Sequence, residues 1–253
     1  MSEVEFQLEG GTAIITLNRP EAKNALNGAV MDGLRAAFAK VVNDPEVRVA
    51  ILTGAGGSFC AGMDLKAFAR GEPIDGSGLP FSGEKPLVLD KPLIAAVEGF
   101  CLAGGFEVAL SCDFIIASEA SRFGLPEVKR GLAAAGGGLV RLPTQAPWRV
   151  ALELALTGDM VSAERLERCG VINRLAPEGK ALDVARAFAA SIAENGPLAV
   201  AMSKRVMRES REWAPSEAMQ KQRVYTDPVF ASEDAKEGAT AFAEKRKPVW
   251  KGR

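Results

Sequence analysis

The sequence predicts an α/β fold, on three observations. Short apolar runs rich in Val and Ile recur through the first half of the chain. Two of them lead into a glycine turn that opens an amphipathic or apolar helix, the order expected of strand–helix units on a parallel sheet. After about Leu142 strand signals thin out and helical periodicity dominates.

In order, Ala13 to Leu17 (AIITL) reads as a strand ended by Asn18-Arg19-Pro20. Gly28 to Asn43 reads as an amphipathic helix, with Met31, Leu34, Phe38 and Val41 on one face. Val47 to Thr53 is a second strand, followed by a glycine-rich turn, Gly54 to Gly62, and a short helix from Asp64. Gly71 to Lys85, rich in Gly, Pro and Ser, is expected to be a mobile loop. Leu93 to Val97 is a third strand. Gly104-Gly105 then opens a helix to about Cys112, and Asp113 to Ala117 is the next strand. The later helices are expected at Pro147–Thr157, Ser162–Cys169, Ala181–Asn195, Pro197–Glu212 and Ser216 to about Tyr225, with VINRL near residue 173 as the best late strand. Gly196-Pro197 suits a helix end followed by a helix start, so a soft boundary is drawn between 1–195 and 196–253.

Bulk properties exclude several function classes. A chain of 253 residues with 47% hydrophobic and 25% charged residues can bury a large core. Its formal net charge of −1 gives no reason to expect nucleic acid or an anionic membrane as the main partner. The start, MSEVEFQLEG, lacks a long apolar region, so no secretory signal is expected. Leu93 to Ala117 is long enough to span a bilayer but carries Glu98, Glu107 and Asp113, and is read as buried core. Cys60, Cys101, Cys112 and Cys169 show neither CxxC nor zinc spacing, so free thiols in a reducing cytoplasm are expected. The chain has no histidine. That removes a Ser-His-Asp triad and a Cys-His pair from this chain, along with the commonest zinc ligand, and no metal is expected. Acid–base work near neutral pH falls to Asp, Glu, Lys, Cys or Tyr225.

Three stretches carry chemistry. GAGGSFCAGMDL, Gly54 to Leu65, lies between a strand and a helix but matches neither GxxxxGK[ST] nor GxGxxG. Its backbone amides at a helix start suit an anion or a developing oxyanion, or it is a bare turn. In GFCLAGGFEVALSCD, Gly104 and Gly105 make a second such turn, with Glu107 just beyond. Two turns could each give one N–H to a shared carbonyl oxygen. Equally, these glycines could serve only tight packing. In FGLPEVKRG, Glu127 follows Pro126; taken singly it is a first-turn glutamate favoured by the helix dipole. Without histidine, the two glutamates are the natural acid–base pair.

SFCAGMDL, AAVEGFCLAGGFEVALSCDFIIA and FGLPEVKRGL together resemble the crotonase superfamily of enoyl-CoA hydratases and isomerases. The likeness runs from ITLNRPEAKNALN to GATAFAEKR. It implies a spiral of repeated ββα units with a C-terminal helical region that packs on neighbouring subunits, as a homotrimer or a dimer of trimers. It also implies an acyl-CoA substrate held by the backbone N–H groups of Met63 and Gly104, with Glu107 and Glu127 as the two catalytic carboxylates. Ala22, Lys23 and Ala25, facing Ala61, Asp64 and Leu65, would line the coenzyme A pocket, and Phe242 and Lys245 would reach a neighbour's ligand. No cofactor is implied, because coenzyme A is part of the substrate. The resemblance favours an enoyl-CoA hydratase of fatty acyl breakdown. A carnitinyl-CoA-type dehydratase, suggested by FCLAGGFE and AFAEKRKPVWKGR, an enoyl-CoA isomerase, and a non-catalytic acyl-CoA binder stay open. GLAAAGGGLVRLP lacks the loop proline that many members carry after the second glutamate.

Overall fold

The computed structural model describes residues 2–72 and 87–253. The segment expected to be a mobile loop lies almost wholly outside the described residues. The strands are β1 (Val4–Glu9), β2 (Thr12–Leu17), β3 (Val49–Gly54), β4 (Leu93–Val97), β5 (Phe100–Leu102), β6 (Phe114–Ser118), β7 (Arg122–Gly124), β8 (Val161–Ser162) and β9 (Arg174–Ala176). The helices are α1 (Gly28–Asn43), α2 (Leu65–Ala69), α3 (Gly104–Ala109), α4 (Gly138–Gln145), α5 (Trp148–Thr157), α6 (Ala163–Arg168), α7 (Ala181–Ala193), α8 (Pro197–Glu209), α9 (Pro215–Ala231) and α10 (Glu233–Ala243).

A large sheet runs β1-β2-β3-β4-β6-β9 and a small one β5-β7-β8. Only β1, antiparallel to β2, breaks the parallel order of the large sheet. Both faces of that sheet are covered. One face points Ile15, Leu17, Leu52 and Val97 into the main core with α1. The other points Val49, Ile51, Ile94, Ala96 and Ile116 at Ala185 and Ala189 of α7. Burial on both sides is why these strands read as unbroken apolar runs rather than alternating ones.

The connections show a repeated unit. β4 leads to β5 and then α3; β6 leads to β7 and then a 3₁₀ turn, Pro126–Arg130. β3 does the same in reduced form, with Cys60 standing in for the short second strand before α2. These second strands stack in register: Cys60 bridges Cys101, and Cys101 pairs with Phe123. This is the ββα spiral the resemblance implied.

Several elements differ from the sequence reading. β1, α4 and α10 lay outside it, and α9 runs on to Ala231 through Pro228. α3 ends at Ala109 rather than near Cys112, because Ser111 and Cys112 turn toward the start of β6. Glu127 sits in a 3₁₀ turn. The charges in the long apolar window have structural partners: Glu98 accepts from the Gly179 and Ala181 amides, and Asp113 from the Leu93 amide and Lys204. No helix among the described residues is long and apolar enough to cross a membrane. The C-terminal tail returns to the core side of the soft boundary, where the Trp250 indole donates to the Glu194 carbonyl at 2.7 Å.

Asn24 is a small-scale keystone that the sequence reading missed. It is fully buried and left-handed (φ 55°). Its Nδ2 donates to the Ala55 and Ser58 carbonyls at 2.9 and 2.7 Å, and its Oδ1 accepts from the Arg19 amide at 2.8 Å. Removing it orphans buried backbone groups at the base of the first glycine turn. Asn24→Ala is expected to cost roughly 3 kcal/mol, read as a lower denaturation midpoint; an unchanged midpoint would refute this role.

Candidate active site

The two glycine turns meet because backbone packs directly on backbone. The Cys60 amide donates to the Phe100 carbonyl, and the Leu102 amide to the Cys60 carbonyl, each at 2.9 Å. A Cβ on Gly105 would lie 2.4 Å from the Cys60 carbonyl oxygen, so only glycine fits there. The far end of the first turn is pinned to Leu26: the Leu26 amide donates to Gly62 and the Asp64 amide to Leu26, at 2.8 and 2.9 Å. In such a parallel bridge the amide of the middle residue, Met63, points to the opposite side.

Gly104 is the first residue of α3, so its N–H has no partner within the helix. Ala103 before it stands at φ 49°, ψ −128°, a conformation that favours glycine. Ala103 is held there by its amide on the Gly124 carbonyl and by its own carbonyl accepting from the Glu107 amide. Among the described residues, neither the Met63 nor the Gly104 amide donates to a backbone carbonyl. The turns are in contact: a Cβ on Gly62 would lie 3.3 Å from the Gly104 nitrogen, and one on Gly104 would lie 3.9 Å from the Met63 nitrogen.

Both amides border a pocket of about 480 Å³. Its walls are mainly apolar, with Leu26, Met31, Leu65, Phe68 and Leu132. Glu107, Glu127 and Arg130 are the charged side chains among its described lining residues. Glu107, carried inward by the first turn of α3, is only 4% exposed. Its Oε1 accepts from the Gly138 amide at 2.8 Å, and the Gly136 amide makes a second hydrogen bond. Burial pushes its carboxyl above the usual range, against the pull of these two amides and of Arg141. Glu127 is half-buried, and its Oε2 has no hydrogen-bond partner among the described residues. Burial, with a smaller push from the Glu107 charge, raises its carboxyl to about 7, against the pull of its own amide and of Arg130. An orphan carboxylate oxygen beside an apolar pocket suits a water or substrate proton.

Of the residues predicted from sequence, Met63, Gly104, Glu107, Glu127, Ala61 and Leu65 line this one pocket. Ala22, Lys23 and Ala25 lie in the neighbouring turn, and Asp64 sits between the lining residues Met63 and Leu65, but none of the four lines the pocket. The Ala61 amide donates to the Lys23 carbonyl, and the Lys23 ammonium sits 4.5 Å over the Phe100 ring. Asp64 caps α2 and pairs with Arg19 at 3.2 Å; the Ala25 carbonyl accepts from the same guanidinium. Phe242 (88% exposed) and Lys245 belong to the last helix and the turn after it, and are not among this chain's lining residues. The sequence reading singled out the segment GLAAAGGGLVRLP but missed Arg130 as a lining residue and the grip of loop 136–138 on Glu107; the third glycine run after the second glutamate was the available signal.

A protein family described as enoyl-CoA hydratase/isomerase matches residues 7–253. The enoyl-CoA hydratase EchA19 of Mycobacterium tuberculosis is 44% identical, over 96% of this chain and 94% of its own. A carnitinyl-CoA dehydratase of Salmonella enteritidis is also 44% identical, over 94% of each chain. Among solved structures, an enoyl-CoA hydratase of M. tuberculosis H37Rv superposes with a TM-score of 0.95 at 55% identity, covering 100% of both chains.

The raised carboxyl of Glu127 carries a stability consequence. Between about 4.5 and about 7 the folded state holds this proton more tightly than the unfolded chain. Stability therefore falls as pH rises through that window, and the penalty is complete above it. Glu127→Gln, which mimics the protonated form, is expected to melt above wild type at pH about 8 and level with it below about 4.5. A variant that melts lower at both pH values would contradict this.

Proposed function

This chain belongs to the enoyl-CoA hydratase/isomerase family, and on that premise we propose that it adds water reversibly to a trans-2-enoyl-CoA, giving a 3-hydroxyacyl-CoA. The observation that carries the reading is the pair Glu107 and Glu127 on one apolar pocket, beside two amides without backbone partners among the described residues. A pure binder would gain from the amides but would bear the cost of two desolvated carboxyls for nothing.

The thioester carbonyl oxygen sits between the Met63 and Gly104 amides. They stabilise the negative charge that develops there as water attacks, each donor being worth about 3–4 kcal/mol. Withdrawing that charge makes the β-carbon electrophilic. Glu107, gripped by the loop amides, takes a proton from the attacking water as the C–O bond forms at the β-carbon. Glu127 gives its proton to the α-carbon. The pair holds one proton before and after the step, on Glu127 before hydration and on Glu107 after it, and dehydration starts from the second arrangement. Ala22, Lys23, Ala25, Ala61, Asp64 and Leu65 hold the coenzyme A portion, whose remote binding energy orients the reacting carbons. The exposed Met207, Met219, Val224, Phe230 and Phe242 suit burial between copies in a homotrimer or a dimer of trimers, with Phe242 and Lys245 reaching a neighbour's ligand. A reducing cytoplasm suits the four free cysteines.

Dehydration of a carnitine-like thioester is favoured by the equal identity to the carnitinyl-CoA dehydratase. The described lining weighs against it: Phe68 is its one aromatic side chain, and Arg130 is a cation. A quaternary ammonium is better served by an aromatic cage.

The test is a UV assay of enoyl-thioester absorbance across a panel of enoyl-CoA substrates, starting with crotonyl-CoA. Glu107→Gln and Glu127→Gln are each expected to lower kcat by at least about 100-fold while binding of an acyl-CoA survives. Full activity in both would sink the two-carboxylate mechanism. The profile of kcat/KM against pH should be bell-shaped, with its upper limb near 7, where Glu127 loses its proton. A rate that keeps rising well beyond that pH would show that protonated Glu127 is not the donor.

A further inference from the structure

We infer that Arg141 is a positioning residue for Glu107: its guanidinium locks the glycine loop whose amides grip that carboxylate and sets a positive charge behind it. The inference rests on Glu107 acting as the base.

The loop is held from both sides. On one side its Gly138 and Gly136 amides donate to Glu107. On the other, Arg141 Nη1 donates to the Gly136 carbonyl at 2.9 Å. Between them Gly137 is left-handed at φ 102°. A Cβ there would lie 2.0 Å from Arg141 Nη1, so the guanidinium lies directly against the backbone of the loop. Gly138 is close on its inner side, where a Cβ would lie 3.0 Å from Glu107 Oε1. Carboxylate, loop backbone and guanidinium thus form three layers. The outer layer fixes where the inner one points.

The charge acts in the same direction. Arg141 is the cation whose field pulls the Glu107 carboxyl down against burial. Among the other groups around Glu107, Glu127 in the 3₁₀ turn is the second carboxylate of the pocket and Arg130 acts on Glu127. Cys112, a buried thiol in the turn after α3, lies close enough to Arg141 to act on its charge. A base that must be ionised in an apolar pocket needs such a counter-charge. A catalytic carboxylate held by two backbone amides needs a loop that cannot breathe. Arg141 supplies both, through one side chain that does not touch the pocket.

The experiment compares kcat/KM against pH for wild type, Arg141→Gln and Arg141→Lys, using the enoyl-CoA that wild type turns over fastest. Arg141→Gln is expected to move the lower limb, where Glu107 ionises, upward by about one pH unit. It should also lower kcat with little change in KM. Arg141→Lys keeps the charge and should bring the lower limb back toward wild type while kcat stays reduced. A lower limb unmoved in a folded Arg141→Gln overturns the inference. Should that variant fail to fold, a wild-type kcat in Arg141→Lys overturns it instead. Glu107→Gln in the same assay separates the two levels. Full activity there removes Glu107 as the base, whereas a dead Glu107→Gln beside an unmoved limb in Arg141→Gln removes the role of Arg141 only.

Discussion

The bridge between Cys60 and Cys101 is the contact on which the site depends. It joins the second strand of one ββα unit to that of the next, with reciprocal hydrogen bonds at 2.9 Å. Two turns that are more than forty residues apart in sequence are thereby fixed edge to edge. Such closeness is possible only where side chains are absent or tiny. Gly105 must clear the Cys60 backbone, Gly62 must clear Ala103, and Gly54 must clear the Ser58 and Phe59 carbonyls. The backbone strain at Ala103 is part of the same arrangement. It bends the chain sharply out of β5 into α3, whose first residue, Gly104, lines the pocket. Strain of this kind costs about 1–3 kcal/mol and persists only where neighbours over-determine it. Here the Gly124 carbonyl and the Glu107 amide do so.

Against that fixed backbone the two glutamates are differentiated by their surroundings. Glu107 is the more deeply buried, yet it is met by two loop amides and a guanidinium, each favouring its charge. Glu127 has its own amide and a surface arginine to favour its charge, but one of its oxygens is orphaned. Burial therefore dominates at Glu127 and is opposed more fully at Glu107. One carboxyl is suited to remain ionised and the other to hold a proton near neutral pH, which is the division of labour that water addition requires.

The apolar lining bears on the acyl group. A pocket walled by Leu, Met and Phe rewards each methylene that it covers and offers little to a charged chain end. Arg130, the single cation among the described lining residues, would add a repulsive element against positively charged acyl groups. Discrimination by repulsion is as effective a source of specificity as attraction.

Much of the site was legible in the sequence, for particular reasons. The lack of histidine forced attention onto carboxylates, the glycine turns after apolar strands suggested a backbone anion site, and the family resemblance pointed to Met63 and Gly104 within them. Helix α1 and strand β4 were read to the residue, because strong periodicity or a continuous apolar run leaves little ambiguity. The soft spots were β1, whose exposed alternation is masked by Glu and Gln, and α4 and α10, whose glycines and charges dilute a helical pattern. Asn24 and Arg141 were out of reach. A buried asparagine and a surface one look alike in a sequence, and so do an arginine in solvent and one laid against a glycine loop. By itself the sequence determined the chemistry available: two carboxylates, two glycine turns and no imidazole. Only the tertiary structure decided which carboxyl is met by loop amides and a guanidinium and which glycine turn packs on which. Burial, φ angles and long-range hydrogen bonds set these, and none of them exists until the units have stacked.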